Sequence, residues 1–105
     1  MPTDRAFNAL KAMKNVTNFA FDGEVASASV RSLTGDMIYS VVIDVKTGEY
    51  MCTCPDYMTR KRACKHVLGL CLYLYTHKYV SSDFLKEVDE ECWRLVGEQS
   101  KLTIR

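Results

Sequence analysis

The 105-residue sequence carries almost no net charge: 14 lysines and arginines against 13 aspartates and glutamates leave +1. Attraction to a polyanion must therefore come from a local patch, because the molecule as a whole supplies no field for it. Long apolar runs are also missing. The longest, Val67 to Tyr75, is far below the roughly 20 residues that span a bilayer, so no membrane partner is expected. The opening segment Met1-Pro2-Thr3-Asp4-Arg5 is polar, and no apolar run before residue 60 resembles the core of a signal peptide. Histidine is scarce, with His66 and His77 the two present. There is no Ser/His/Asp arrangement and no glycine-rich phosphate loop, so a non-enzyme is expected. No repeat, low-complexity tract or linker divides the chain, which predicts a single domain over 1–105.

What is present is a hydrophobic fraction of 48%, enough for a core. A short chain buries a smaller share of its surface, so that core is modest and a metal cross-link matters to it. Cysteine is abundant but odd in number, at five. With no sign of a secretory segment, this points to an intracellular, cytoplasmic protein with reduced thiols, where clustered cysteines mean metal or catalysis more often than disulfides.

Hydrophobic periodicity divides the chain into elements. Ala6, Phe7, Leu10 and Met13 recur at helical spacing, predicting an amphipathic helix over 3–19. Residues 24–32 and 36–45 are rich in β-branched and small residues, and each run ends at a Thr-Gly pair, Thr34-Gly35 and Thr47-Gly48. Glycine there supplies the positive φ of a hairpin turn. A third strand over 49–53 completes an antiparallel meander. Residues 55–63 read as a loop. The run from Cys64 to Tyr79 reads as a helix apolar on nearly all sides, and hence buried. A last helix over 82–99 has one apolar stripe and an acidic opposite face. The predicted fold class is α+β: a small antiparallel β-meander with a zinc-binding loop-helix, flanked by an N-terminal and a C-terminal helix.

Cysteine and histidine are arranged as C-x-C-x(9)-C-x-H, in Cys52-Thr53-Cys54 and Cys64-Lys65-His66. Residues i and i+2 of a strand project to one side, so Cys52 and Cys54 can offer two thiolates together. On a regular helix i and i+2 lie about 200° apart, which requires Cys64 to precede the helix or sit in its distorted first turn. Four soft or borderline donors of mixed Cys/His type suit one tetrahedral Zn²⁺, and four protein ligands leave no position for a catalytic water. The site is thus read as structural. The helix N-terminus and the bases Lys61, Arg62 and Lys65 are expected to lower the thiol pKa values. Cys71 and Cys92 fall on apolar stripes and are assigned to the core, and His77 to a helix end near the surface.

Residues 39–44 (YSVVID), 50–57 (YMCTCPDY) and 64–68 (CKHVL) resemble the SWIM zinc finger family, in which a β-hairpin and a helix surround C-x-C-x(n)-C-x-H. The similarity covers about residues 36–75. It implies zinc ligation by Cys52, Cys54, Cys64 and His66, and a role in DNA binding or protein contacts. The short chain is similar to small stand-alone members that assist DNA recombination or repair beside RecA-like recombinase paralogues.

Two roles follow. Arg60, Lys61, Arg62 and Lys65 cluster beside the metal loop with Tyr57 as a stacking residue, a pattern that suits phosphate contacts with DNA or another nucleic acid. Lys11 and Lys14 extend this patch if the first helix packs nearby. Alternatively, a basic loop opposed by an acidic helix makes a dipolar surface suited to a protein partner, with Tyr73 and Tyr79 as interface candidates and Tyr75 in the core.

Overall fold

The computed structural model describes residues 4–61, 63–81, 83 and 84. In chain order these form α1 (Asp4–Met13), β1 (Val16–Phe21), β2 (Val25–Arg31), β3 (Ile38–Asp44), β4 (Tyr50–Cys52), α2 (Pro55–Arg60) and α3 (Lys65–Thr76). The strands make one antiparallel sheet in the order β1-β2-β3-β4. The α+β class and the meander hold, with one strand more than the three expected.

That extra strand corrects the helix predicted over 3–19. The helix stops at Met13, where the amides of Lys14 and Asn15 turn back to the carbonyls of Lys11 and Ala12 at 3.1 and 2.9 Å. From Val16 onward β-branched and aromatic residues suit a pleated surface better than a helix. A bulge explains why the strand reads as helical. Val16 and Thr17 pair with Val30 and Ser29, whereas Ala20 pairs with Ser27, leaving one extra residue in β1. Asn18 takes the left-handed conformation at φ 52°, which asparagine tolerates. Val16 and Phe19 are consequently both half-buried while three residues apart, a helical spacing produced by an irregular strand.

The two Thr-Gly pairs turn the chain as expected, with Gly35 at φ 83° and Gly48 at φ 81°. The segment 55–63, expected as a loop, contains α2. It buries no residue of its own, so no apolar period announces it. Local chemistry builds it instead: Cys54 is the N-cap, Pro55 opens the first turn, and Asp56 complements the helix dipole. Lys61 closes it in the left-handed conformation at φ 55°, donating its amide to the Tyr57 carbonyl at 2.7 Å.

α3 is the centre of the fold. His66, Val67, Leu68, Gly69, Leu70, Cys71, Leu72 and Leu74 are all buried, because α3 packs on the sheet with one side and on α1 with the other. Val30, Val41 and Ile43 supply the sheet's part of this core, Ala9 and Ala12 that of α1. Cys71 joins it as predicted. Tyr75 is half-buried against the core. Tyr73 and Tyr79 pack on Phe19 with ring centroids 4.8 and 5.3 Å away, so the C-terminal end of α3 is tied to β1. His77 caps α3, as expected for a helix-end residue, stacked on Tyr73 at 4.1 Å. The predicted helix over 82–99, its acidic face and Cys92 lie outside the described residues, as does Arg62. No helix among the described residues is long and apolar enough to cross a membrane.

Candidate metal centre

Three elements meet at one end of the sheet. Cys52 is the last residue of β4, Cys54 the N-cap of α2, Cys64 the N-cap of α3, and His66 the second residue of α3. The anticipated arrangement of Cys64 just ahead of the helix carrying His66 is the one observed. All four are buried, and one ligand atom from each lies within 4.8 Å of every other. His66 Nδ1 is 3.9 Å from Cys52 Sγ and 3.8 Å from Cys64 Sγ. Zinc bonds of about 2.3 Å to sulfur and about 2.0 Å to nitrogen give tetrahedron edges of roughly 3.5–3.8 Å. The cluster therefore fits one structural Zn²⁺ held by Cys52, Cys54, Cys64 and the Nδ1 of His66.

Backbone amides prepare the sulfurs for negative charge. The Cys54 amide points at Cys52 Sγ at 3.5 Å, and the Tyr57 amide at Cys54 Sγ at 3.4 Å. Two of the sulfurs thus each receive one N–H from a residue two or three positions downstream, which disperses the net negative charge of a Zn–Cys3His centre.

The expectation that all three thiols are acidified is corrected for two of them. Cys64 is lowered to about 4, first by the hydrogen bond from Cys52 and then by His66 and the Val67 amide. Cys52 is pushed up from the ordinary thiol range because it holds the shared proton toward Cys64 and is buried. Burial likewise raises Cys54. In the metal-free protein one buried thiolate is stabilised at the expense of its neighbours, since like charges this close disfavour one another.

The basic residues frame this centre without forming a single row. Arg60, at the end of α2, is exposed and pairs with Asp56 at 3.2 Å. Lys61 is exposed, with Nζ 5.5 Å from the centre of the Tyr57 ring. Lys65 is half-buried at the start of α3. Tyr57 is half-buried, donates its hydroxyl to the Tyr50 carbonyl at 3.1 Å, and meets the Tyr50 ring edge-on at 6.2 Å. Lys14 lies elsewhere: its neighbour Met13 contacts Thr76 in the last turn of α3, about 16 Å of helix from Lys65.

Two features of the site are not in the ligand pattern. The Tyr39 ring packs on His66 with centroids 4.9 Å apart, holding the imidazole from the sheet side. The thiolate-binding amides were also unforeseen, although Cys54-Pro55-Asp56 is a helix start that could have been recognised. Residues 39–75 match the SWIM zinc finger family model. No curated protein and no solved structure matches the chain.

Proposed function

We infer, from the match of residues 39–75 to the SWIM zinc finger family model, a non-catalytic nucleic-acid-binding module of intracellular DNA recombination or repair. The observation that carries this reading is the placement of exposed Arg60 and Lys61, with Lys65, on the two short segments that the zinc ligands pin together. Cations on a metal-clamped loop lose little conformational freedom when they meet a phosphate backbone. Such contacts give affinity without sequence preference. Tyr57 serves this surface as a support for Lys61 and the α2 turn, given its bonded hydroxyl and packed ring. The Cys3His set fills the metal's coordination sphere, which suits a structural and not a hydrolytic role.

The test is fluorescence anisotropy of single- and double-stranded DNA with zinc-loaded protein at about 50 and 200 mM salt. Binding is expected to weaken steeply with salt, and R60Q/K61Q/R62Q/K65Q to weaken it at both concentrations without loss of zinc. Unchanged affinity in that variant overturns the assignment of the surface.

A second reading, an adaptor for a RecA-like recombinase paralogue, is supported by a different observation. Met37, Ile38, Met51 and Met58 are each more than half exposed, at 56, 57, 54 and 56%. Flexible thioethers on a surface are suited to protein contacts. Absence of any DNA binding at low salt, with co-purification of such a partner, favours this reading.

A further inference from the structure

Successive side chains of a strand point to opposite faces of its sheet. On the inner face, Ala26, Ala28 and Val30 of β2 and Val41 and Ile43 of β3 are buried in the core with α3. The outer face carries Val25, Ser27 and Ser29 of β2, Ser40 and Val42 of β3, and Met51 of β4. Ile38 continues it toward the metal centre, and Ile38 and Met51 are both more than half exposed. An antiparallel sheet face that meets water is ordinarily polar. This one is apolar or small over most of its extent. Across all four strands the charged residues are Arg31 and Asp44. An open hollow of about 410 Å³, with Val25, Val42, Met51 and Tyr57 in its wall, lies on the β3–β4 side of this face.

The sheet edges are poorly suited to association. β1 is interrupted by its bulge at Asn18. β4 is three residues long, and the Tyr57 hydroxyl occupies the Tyr50 carbonyl. Short and bulged edges resist the addition of a further strand, which leaves the outer face as the surface to be covered.

Its two charges stand at opposite ends. Arg31 is opposite Ile38 at the metal end of the sheet, and Asp44 is opposite Val25 at the other end. A two-fold axis lying between two such faces and crossing their strands sets Arg31 of each copy toward the Asp44 end of the other. The face is thus complementary to itself, as a two-fold interface requires. Asp44 Oδ1 accepts the Lys46 and Thr47 amides at 2.9 and 3.2 Å, so the carboxylate is held in place with a second oxygen to offer. Ser27, Ser29 and Ser40, in the middle, are small enough for two sheets to pack about 10 Å apart.

We propose that two copies of this chain pack outer face to outer face as a two-fold dimer, burying Val25, Val42 and Met51 between the sheets and pairing Arg31 with Asp44 at both ends. Strands about 4.8 Å apart, with about 3.4 Å per residue, give each copy a face of roughly 400 Å². With their rims, two such faces bury on the order of 1,000 Å², the size of a reversible association and not of an obligate dimer. The metal centre lies at the Arg31 end, so the dimer carries its two zinc sites at opposite ends. This inference does not depend on the nucleic-acid reading.

The test is sedimentation of the zinc-loaded chain from low to high micromolar concentration, with S29K, R31E and D44N alongside. The unsubstituted chain is expected to rise from monomer toward dimer mass. S29K is expected to raise the dissociation constant about tenfold or more, and R31E and D44N several-fold each, with zinc content and cooperative melting retained. D44N keeps an acceptor for the Lys46 and Thr47 amides and so isolates the charge. A monomer at every concentration overturns the dimer. In that event a lower thermal midpoint in S29K assigns the face to residues 85–105 of the same chain, and an unchanged midpoint leaves it open to a different protein. A dimer that all three variants leave unchanged overturns this face as its interface.

Discussion

Gly69 lies directly against Ala12: a Cβ at Gly69 would stand 2.8 Å from the Ala12 Cβ and 3.0 Å from the backbone of Ala12 and Met13. This contact lets α1 and α3 approach closely enough for α3 to be buried from both sides. G69A therefore tests the central packing. Alanine gains about 1 kcal/mol over glycine in helix propensity, but two of the three atoms it meets are backbone and cannot rotate away. Overpacking of this kind costs about 1–3 kcal/mol, occasionally more. A net loss of about 1–2 kcal/mol is expected, read as a thermal midpoint several degrees lower in zinc-loaded protein. An unchanged or raised midpoint would show that the helices separate freely.

Ligand loss and core loss separate cleanly at two cysteines of α3 and its cap. Cys64 belongs to the metal cluster, whereas Cys71 is buried in the core about two helical turns farther along α3. C64S is expected to lose stoichiometric zinc and cooperative melting together, because the free energy of a structural zinc site is also folding energy. C71A is expected to keep one zinc and to melt cooperatively at a somewhat lower temperature. Metal analysis and circular dichroism on both variants decide it; C64S with a full complement of zinc would remove Cys64 from the site.

Zinc uptake should release two thiol protons near neutral pH. Cys52 and Cys54 are raised above the ordinary thiol value of 9.0 and enter the reaction protonated, while Cys64 at about 4 is already a thiolate. Protons thus compete with the metal, and acid weakens binding. From about pH 8 down to about pH 7 the apparent affinity is expected to fall about 100-fold for each unit of acidification. Below the Cys64 value a third proton joins the competition and the dependence steepens. Calorimetry in buffers of different ionisation enthalpy counts these protons directly. Three released protons at pH 7 would mean that the Cys52–Cys64 hydrogen bond does not hold Cys64 as a thiolate.

Where sequence patterns matched the structure, the controlling physics was local. The spacing of Cys52, Cys54, Cys64 and His66 is a statement about donor chemistry and short-range reach, so the ligand set was readable before any fold. Glycine at positions 35 and 48 marks positive φ wherever it occurs, and the nearly unbroken apolar run from Val67 to Leu74 requires burial whatever covers it. The α+β class followed from these together. Other features depend on partners distant in the chain. β1 is a strand because Val30, Ser29, Ser27 and Ala26 are there to pair with it, and its bulge at Asn18 disguises a period of two as a helical one. α2 has no buried face and exists by its caps, one of which is a zinc ligand. The tertiary structure alone decided that Gly69 admits Ala12, that Tyr57 is bonded and packed, that Cys52 and Cys54 are raised while hydrogen bonding lowers Cys64, and that the Tyr39 ring packs on His66. Burial, electrostatics and close packing are properties of neighbours in space, and the order of residues along a chain records them only where those neighbours are also close in sequence.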